Sequence, residues 1–340
     1  LSLISLVAFA GGIQNTHNKY SVPAYTPVIF NLCLIIAAIL IAPMYEMPIF
    51  VLAWGVLLAG ILQLLIQILP LWQIKRLPVP KINFKNSGLR RFLKLVAPAI
   101  LAGGIIQINL LVDTIFASLL ETGSPTWLYV SDRLIQFPMG IFAIAIGTVL
   151  LPTLSKLDLK NQKIKFIESV HKGQRFVIFI AVPSLVGLFF CAEDLISTIF
   201  YRGAFTQIDV LNSSYSLMAF SFGLPFFMLM KVLTPAFFAR KDTKTPMYVA
   251  MVSLLLNASL NYYLAFILDF GHIGIALGSS IAALISVLIL EFILYKDGFI
   301  KIKNIFNRFN IMILCSSLSL ILFLNFYTNL TNFMEFSQVE

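Results

Sequence analysis

The sequence has few charged residues, which make up 11% of its 340 residues, whereas hydrophobic residues make up 59%. A soluble domain averages about 25% charged residues. With a mean hydropathy of +0.92, the chain lacks the polar surface that a globule needs in water. Its apolar residues come in blocks of roughly 20, the length of helix that crosses a hydrocarbon layer of about 30 Å. The composition therefore excludes an ordinary soluble protein and indicates a protein with several membrane spans.

Residues that often carry catalysis or ligate metals are also scarce. The three cysteines and three histidines are scattered along the chain, so they indicate neither a disulfide framework nor a metal site. The sequence contains no Gly-rich phosphate loop, no dinucleotide-binding fingerprint and no GxSxG motif. These absences argue against an ATP-driven pump and against a soluble-type enzyme.

Period-two alternation of polar and apolar residues is missing as well, which excludes a transmembrane β-barrel and leaves helices as the spanning elements. We predict an all-α polytopic membrane protein with about ten transmembrane helices and amphipathic inner-surface connectors. The predicted spans are residues 1–14, 24–42, 48–70, 96–120, 127–154, 176–191, 211–236, 247–267, 273–294 and 309–328. Because the chain begins with Leu1 inside an apolar block and without Met, we expect a fragment.

The spans divide into four expected regions. Residues 1–70 would be the truncated end of an N-terminal helical lobe, 71–95 a basic cytoplasmic amphipathic linker, 96–294 a C-terminal helical lobe, and 295–340 an additional C-terminal helix region, also truncated. Residues 81–96 and 155–176 combine basic and apolar side chains. We expect both to form helices on the inner surface, the second with Ile164, Phe166 and Ile167 turned to lipid.

Charge alternates in sign from one connection to the next. Basic residues are concentrated in residues 71–95, 156–175, 240–244 and 296–308, whereas the intervening connections contain Glu46, Glu121, Glu193, Asp194, Asp209 and Asp269 against Arg202. Because Lys and Arg are retained on the cytoplasmic side, we predict that the basic connections lie inside, beside anionic phospholipid headgroups. This sorting explains the net charge of +9 without a nucleic-acid partner.

Five ionisable residues lie inside the predicted spans, where each costs roughly 2.5 to 3.5 kcal/mol at a helix centre. Lys231 and Glu291 lie near inner ends and can reach the membrane surface. Asp113 precedes the outer turn TGSP by about ten residues and Arg133 follows its centre by about ten, so both lie roughly 15 Å from the turn. We predict that they meet, either as a salt bridge that joins two helices or in a water-filled polar cavity.

Arg133 itself favours an anionic substrate, because a planar guanidinium can contact a phosphate or carboxylate with two hydrogen bonds. Asp132 precedes it in the sequence. Since adjacent residues on a helix point about 100° apart, Asp132 would tether a neighbouring helix or orient the guanidinium.

A second polar group is predicted at a similar depth. Asn257 and Asn261 share a helix face, and Ser279 and Ser280 descend from the same outer turn on the next span. With Asp113, these oxygens could hold a hard monovalent cation. Alternatively, they could only join helices through hydrogen bonds, as Asn and Ser often do in membranes.

The segment YVSDRLIQFPMGIFAIAIGTVLLPTLSK, residues 129–156, resembles a segment typical of the MurJ (MviN) family of lipid II flippases, within the multidrug/oligosaccharidyl-lipid/polysaccharide exporter superfamily. Residues 15–32, 52–67, 94–120 and 231–250 resemble the same family in the same order. The resemblance implies a non-enzymatic transporter of the bacterial cytoplasmic membrane. Such a protein moves undecaprenyl-pyrophosphate-linked disaccharide-pentapeptide to the outer leaflet by alternating access. In the family layout of fourteen helices, this chain would begin in the fourth and stop around the thirteenth.

The resemblance also implies roles for individual residues. Arg133 matches a cavity arginine of the eighth family helix, which binds the substrate pyrophosphate. Gln136 stands where some family members have an acid, and Asn261 offers an amide where a carboxylate would make a firmer cation site. We expect no cofactor. Whether transport is coupled to Na⁺ or to the membrane potential stays open at this point.

Two other classes of membrane protein remain as alternatives. A related polysaccharide-lipid flippase or a multidrug exporter would share the fold, although a drug exporter should line its cavity with acids rather than with Arg133. A membrane-embedded enzyme acting on polyprenyl phosphates would need paired acids for Mg²⁺, and the sequence contains no DDxxD-like run.

Overall fold

The computed structural model describes residues 2–17, 19–74, 87–157, 161–299, 312–313 and 315–326, and within these ranges every regular element is a helix. The α-helices are α1 (Ser2–Thr16), α2 (Ser21–Ile36), α3 (Pro48–Gln73), α4 (Ser87–Ser118), α5 (Ser124–Pro138), α6 (Ile144–Ser155), α7 (Lys163–Phe190), α8 (Ala192–Phe200), α9 (Gln207–Ala239), α10 (Lys244–Tyr262) and α11 (Gly271–Lys296). Three π-helical segments extend or join them: Ala37–Ile41, Met139–Ala143 and Tyr263–Ile267.

Seven stretches of helix in the described residues are long and apolar enough to cross a membrane. They are Ser21–Met44, Ile49–Gln73, Ser124–Ser155, Lys163–Phe190, Gln207–Ala239, Lys244–Ile267 and Gly271–Lys296. Two shorter apolar helices, Gly103–Ser118 and Cys315–Phe326, and the 15-residue α1 fall in the other three predicted spans. The predicted polytopic helical architecture is confirmed.

The chain forms two compact units, Leu1–Phe84 and Lys85–Glu340. In the first unit α3 packs against α1 and α2, and buried amides join the helices: Gln14 Nε2 donates to Gln67 Oε1 (3.3 Å), and Gln63 Nε2 donates to the Thr26 carbonyl (2.6 Å). Residues 75–86 of the expected linker, and the side chains of residues 87–95, lie outside the described part of the structure. Its amphipathic character therefore stays a prediction.

The second unit is built around α9 and α11, the most buried of the apolar spans. Leu224, Met228, Val232 and Phe237 of α9 are fully buried in its main hydrophobic core. Helices α5, α6, α7, α8 and α11 all pack against α9. The short α8, which the span pattern did not predict, contributes the buried side chains Ala192 and Ile196.

The expectation of a separate surface helix in residues 155–176 was wrong. Residues from Lys163 onward form the first turns of the continuous 28-residue α7. Ile164 is 72% exposed as expected, but Phe166 is fully buried and Ile167 is 9% exposed. The physical reason is that Phe166 packs edge-on against Phe299, with ring centroids 5.4 Å apart. The apolar face of this segment therefore meets protein, not lipid.

Side-chain contacts join helix ends at both ends of the second unit. At one end, the Arg240 guanidinium pairs with the Asp297 carboxylate, and Lys163 Nζ donates to the Asp297 carbonyl (3.3 Å). At the other end, Trp127 Nε1 donates to Asp209 Oδ1 (2.7 Å). This grouping agrees with the alternation of charge in the sequence, which predicts that the first end is cytoplasmic.

Candidate functional site

A cavity of about 730 Å³ lies in the second unit between α4, α5, α9 and α11. Its polar and aromatic lining includes Gln107, Asn109, Asp113, Thr114, Tyr129, Asp132, Arg133, Gln136, Phe220, Phe227 and Ser279. The four residues that the sequence predicts as substrate contacts, Asp113, Asp132, Arg133 and Gln136, thus line one cavity. That they bind substrate stays a prediction.

Arg133 is exposed in this cavity, with its guanidinium carbon 4.5 Å from the centroid of the Tyr129 ring. The predicted contact between the Arg133 and Asp113 side chains was wrong, although both residues line one cavity. The structure gives Arg133 no ion pair with any described residue, and the Asp113 carboxylate is held by α10 and α11 instead. Equal depth brings the two residues into one cavity, but α4 turns Asp113 toward α10.

Asp132 has its hydrogen-bond partner on its own helix. Its carboxylate accepts a hydrogen bond from Gln136 Nε2, one turn further along α5. It therefore does not tether a neighbouring helix, as one of the two predicted roles required. The pairing of Gln136 with Asp132 was not anticipated, although their i, i+4 spacing on a helix could have indicated it.

Asp113 lies at the centre of a second polar cluster. Its Oδ1 accepts hydrogen bonds from Asn257 Nδ2 and Asn261 Nδ2, both at 2.6 Å, and its Oδ2 accepts one from Ser279 Oγ at 3.4 Å. Asn257 Nδ2 also donates to Asn109 Oδ1 at 2.9 Å. We call these five residues the Asp113 cluster. Asn109 was missed from the sequence, although it lies one turn before Asp113 on the same face of α4.

Ser280 does not belong to the Asp113 cluster, so its predicted place there was wrong. Its hydroxyl donates to the Ala219 carbonyl of α9 (3.0 Å) and to the Ala276 carbonyl of its own helix (2.9 Å). Because successive residues on a helix point about 100° apart, only Ser279 can face α4 and α10.

Asn257 and Asn261 have no exposed surface. Asn261 Oδ1 is buried without a hydrogen-bond partner. A Cβ atom at Gly278 of α11 would lie 2.2 Å from this oxygen, so the absence of a side chain at Gly278 makes room for the Asn261 amide. A carboxylate, a hydroxyl and a spare amide oxygen are the ligand types that a hard cation such as Na⁺ prefers.

The two remaining ionisable residues of the predicted spans lie away from the cavity lining. The Lys231 side chain is exposed, in keeping with an ammonium group that reaches the membrane surface. Glu291 is half-buried and accepts a hydrogen bond from Gln174 Nε2 at 3.0 Å. The part of the chain that the structure describes contains no group of three His, Cys, Asp or Glu side chains suited to a metal ion.

A bundle of apolar helices around a cavity that contains an arginine and two carboxylates is typical of an integral membrane protein with a polar site between its helices. The family model described as lipid II flippase MurJ matches residues 1–339. The chain therefore belongs to the MurJ family, as its sequence motifs suggested. With its apolar spans, it is a multi-pass protein of the bacterial cytoplasmic membrane.

Individual relatives agree with this assignment. The chain is 40% identical to a probable lipid II flippase MurJ of Vibrio cholerae, over 88% of this chain and 56% of that protein. A solved structure titled lipid II flippase MurJ, inward closed conformation, superposes with a TM-score of 0.70 at 32% identity, over 94% of this chain and 64% of that one. The MATE transporter ClbM in complex with Rb⁺ has 16% identity and a TM-score of 0.63, and the match covers 91% of this chain and 67% of that one. At this identity it shows a shared fold alone. The chain spans about half the length of the first of these relatives.

Proposed function

We propose that the full-length protein containing this chain moves lipid II from the cytoplasmic to the outer leaflet by alternating access, as a flippase without catalytic activity. Lipid II is an undecaprenyl-pyrophosphate-linked disaccharide-pentapeptide. One observation supports this most directly: Arg133 is exposed in a cavity, lies on a helix long and apolar enough to cross a membrane, and forms no ion pair among the described residues. A cation in that position is costly unless a ligand uses it.

The chemistry of a guanidinium suits a pyrophosphate. Its N–H groups can donate two parallel hydrogen bonds to one phosphate, and the charge persists at every physiological pH. In a cavity partly shielded from water, such charge-assisted hydrogen bonds are stronger than in bulk solvent. We propose that Arg133 binds the pyrophosphate while neighbouring polar groups of α4 contact the sugars. We further propose that the basic connections bind anionic phospholipid.

The test uses the full-length gene in cells whose native flippase can be depleted. We expect Arg133→Ala and Arg133→Lys each to lower delivery of lipid II to the outer leaflet by about tenfold or more, because each removes a bidentate charged contact. Membrane levels are measured alongside. Normal delivery by both variants would show that Arg133 is not a substrate contact.

We also propose that Na⁺ binds at the Asp113 cluster and drives transport, with the membrane potential acting on cavity charges as the alternative energy source. The Oδ1 of Asn261 is buried and unpartnered, while Nδ2 of the same amide donates to the Asp113 carboxylate, and this supports the proposal. Purified full-length protein should melt at a higher temperature in Na⁺ than in choline at equal ionic strength, because a ligand that binds the folded state stabilises it. Asp113→Asn should abolish the difference. The same melting temperature in both salts would exclude a Na⁺ site here.

A further inference from the structure

The guanidinium of Arg133 is placed by an aromatic ring. Its carbon lies 4.5 Å from the centroid of Tyr129, within the range of a cation–π contact. Tyr129 is one helical turn before Arg133 on α5. Helical side chains lean toward the N-terminus of their helix, which explains why Arg133 reaches residue 129. Phe137, one turn on the other side, is 70% exposed and lines no part of the cavity.

The acid beside Arg133 has its hydrogen-bond partner elsewhere. Asp132 accepts a hydrogen bond from Gln136, so α5 has two separate i, i+4 pairs, Tyr129 with Arg133 and Asp132 with Gln136. The second pair holds the carboxylate on a different side of the helix from the guanidinium, since adjacent residues are about 100° apart. Among the described residues no carboxylate forms an ion pair with Arg133.

An aromatic ring and a carboxylate affect the Arg133 guanidinium in different ways. A carboxylate would neutralise the arginine and occupy its N–H donors. A ring attracts the cation through its quadrupole and leaves the charge, together with the N–H groups that point away from it, able to bind an anion. Tyr129 itself is 57% exposed and lines the same cavity, so both partners lie where a ligand could reach them.

We propose that Tyr129 is a positioning residue for the substrate phosphate: its ring holds the Arg133 guanidinium in the cavity in an orientation ready to bind. This inference rests on the proposed function, because it assumes that Arg133 binds the pyrophosphate. It assigns the ring of Tyr129, rather than its hydroxyl, as the group that matters.

The test measures the affinity of the purified full-length protein for lipid II in nanodiscs. Tyr129→Leu removes the ring, and we expect it to weaken binding by about three- to tenfold, the size of one cation–π contact. Tyr129→Phe retains the ring and should bind within about twofold of the parent protein, because Phe also forms cation–π contacts. The matched control is Phe137→Leu, which removes an aromatic residue one turn from Arg133 on the other side and should leave the affinity unchanged.

A double mutant separates positioning from general damage. In an Arg133→Ala background, Tyr129→Leu should cost no further affinity, because there is no guanidinium left to hold. Additive losses would overturn the proposal, as would equal losses in Tyr129→Phe and Tyr129→Leu, or parent-like binding by Tyr129→Leu while Arg133→Ala binds weakly. If Arg133→Ala binds like the parent, the proposed contact with pyrophosphate fails and the positioning role fails with it. Thermal melting of each variant checks that it folds.

Discussion

At the scale of single residues, Gly278 makes room for the Asp113 cluster. A methyl group there would lie 2.2 Å from Asn261 Oδ1 and would displace the buried amide. We predict that Gly278→Ala lowers the stability of the full-length protein by about 1–3 kcal/mol, the usual cost of overpacking. It should also reduce the stabilisation by Na⁺. Both effects are measured by thermal melting with and without Na⁺.

The control for this change is Gly187→Ala in α7, where an added methyl group meets no atom within 4 Å. Because alanine is the better helix former, that variant should be as stable as the parent or slightly more so. Equal losses in the two variants would mean that the space beside Asn261 is not the cause.

Asn261 offers a second prediction at this scale. Asn261→Asp would place a second carboxylate beside Asp113, and two neighbouring anions repel each other unless a cation lies between them. We expect a lower melting temperature without Na⁺ and a larger rise on adding Na⁺ than in the parent, because cation affinity increases with the ligand charge. A rise no larger than that of the parent would argue against a cation beside Asn261.

The sequence predicted much of this site but not its contacts. Asp113, Asn257, Asn261 and Ser279 could be grouped because helical rise gives their depth and the i, i+4 spacing gives a shared face. The same reasoning failed for Ser280 and for the Asp113–Arg133 contact. Rise along an axis does not tell how far each helix is rotated about that axis, and that rotation is set by packing against neighbouring helices.

At the scale of helices, α7 shows how an apolar face can be misread. Ile164, Phe166 and Ile167 fit an amphipathic helix equally well whether the apolar face meets lipid or protein. Packing decides the matter, because Phe166 belongs to the main hydrophobic core and contacts Phe299, which lies just after the end of α11. No local pattern in residues 155–176 contains that information.

The burial of Phe166 can be tested directly. We predict that Phe166→Ala destabilises the full-length protein by about 3–5 kcal/mol, as expected for emptying a core position. Ile164→Ala, two residues before Phe166 and 72% exposed, should change the stability by less than about 0.5 kcal/mol. Thermal unfolding in detergent compares the two. Similar small losses of stability in both variants would indicate that Phe166 faces lipid and not the protein core.

At the scale of the whole molecule, seven of the ten predicted spans correspond to helices long and apolar enough to cross a membrane among the described residues, because lipid imposes a length and an internally bonded backbone on every crossing. The nine-residue α8 was not predicted, because it is too short to cross a membrane and the prediction searched for membrane spans. The central position of α9 and α11 could not be read from hydropathy, because lipid-facing and buried helices are equally apolar.

The side of the membrane on which each connection lies is a further prediction at this scale. In a variant whose Cys33, Cys191 and Cys315 are replaced by Ser, a cysteine at Gln207 should react with an impermeant maleimide added outside intact cells. A cysteine at Lys244 should react only after the membrane is opened. These positions flank α9, and the charge pattern places them on opposite faces. The opposite pattern of reactivity would show that the predicted orientation in the membrane is wrong.

The ion pair of Arg240 with Asp297 and the bond from Lys163 to the Asp297 carbonyl have a mechanical consequence. They join the ends of α7, α9 and α11, while Phe299 lies against the charged groups of both Lys163 and Arg240. These contacts oppose separation of the three helix ends. We infer that, in the proposed alternating-access cycle, the joined ends of these three helices stay together.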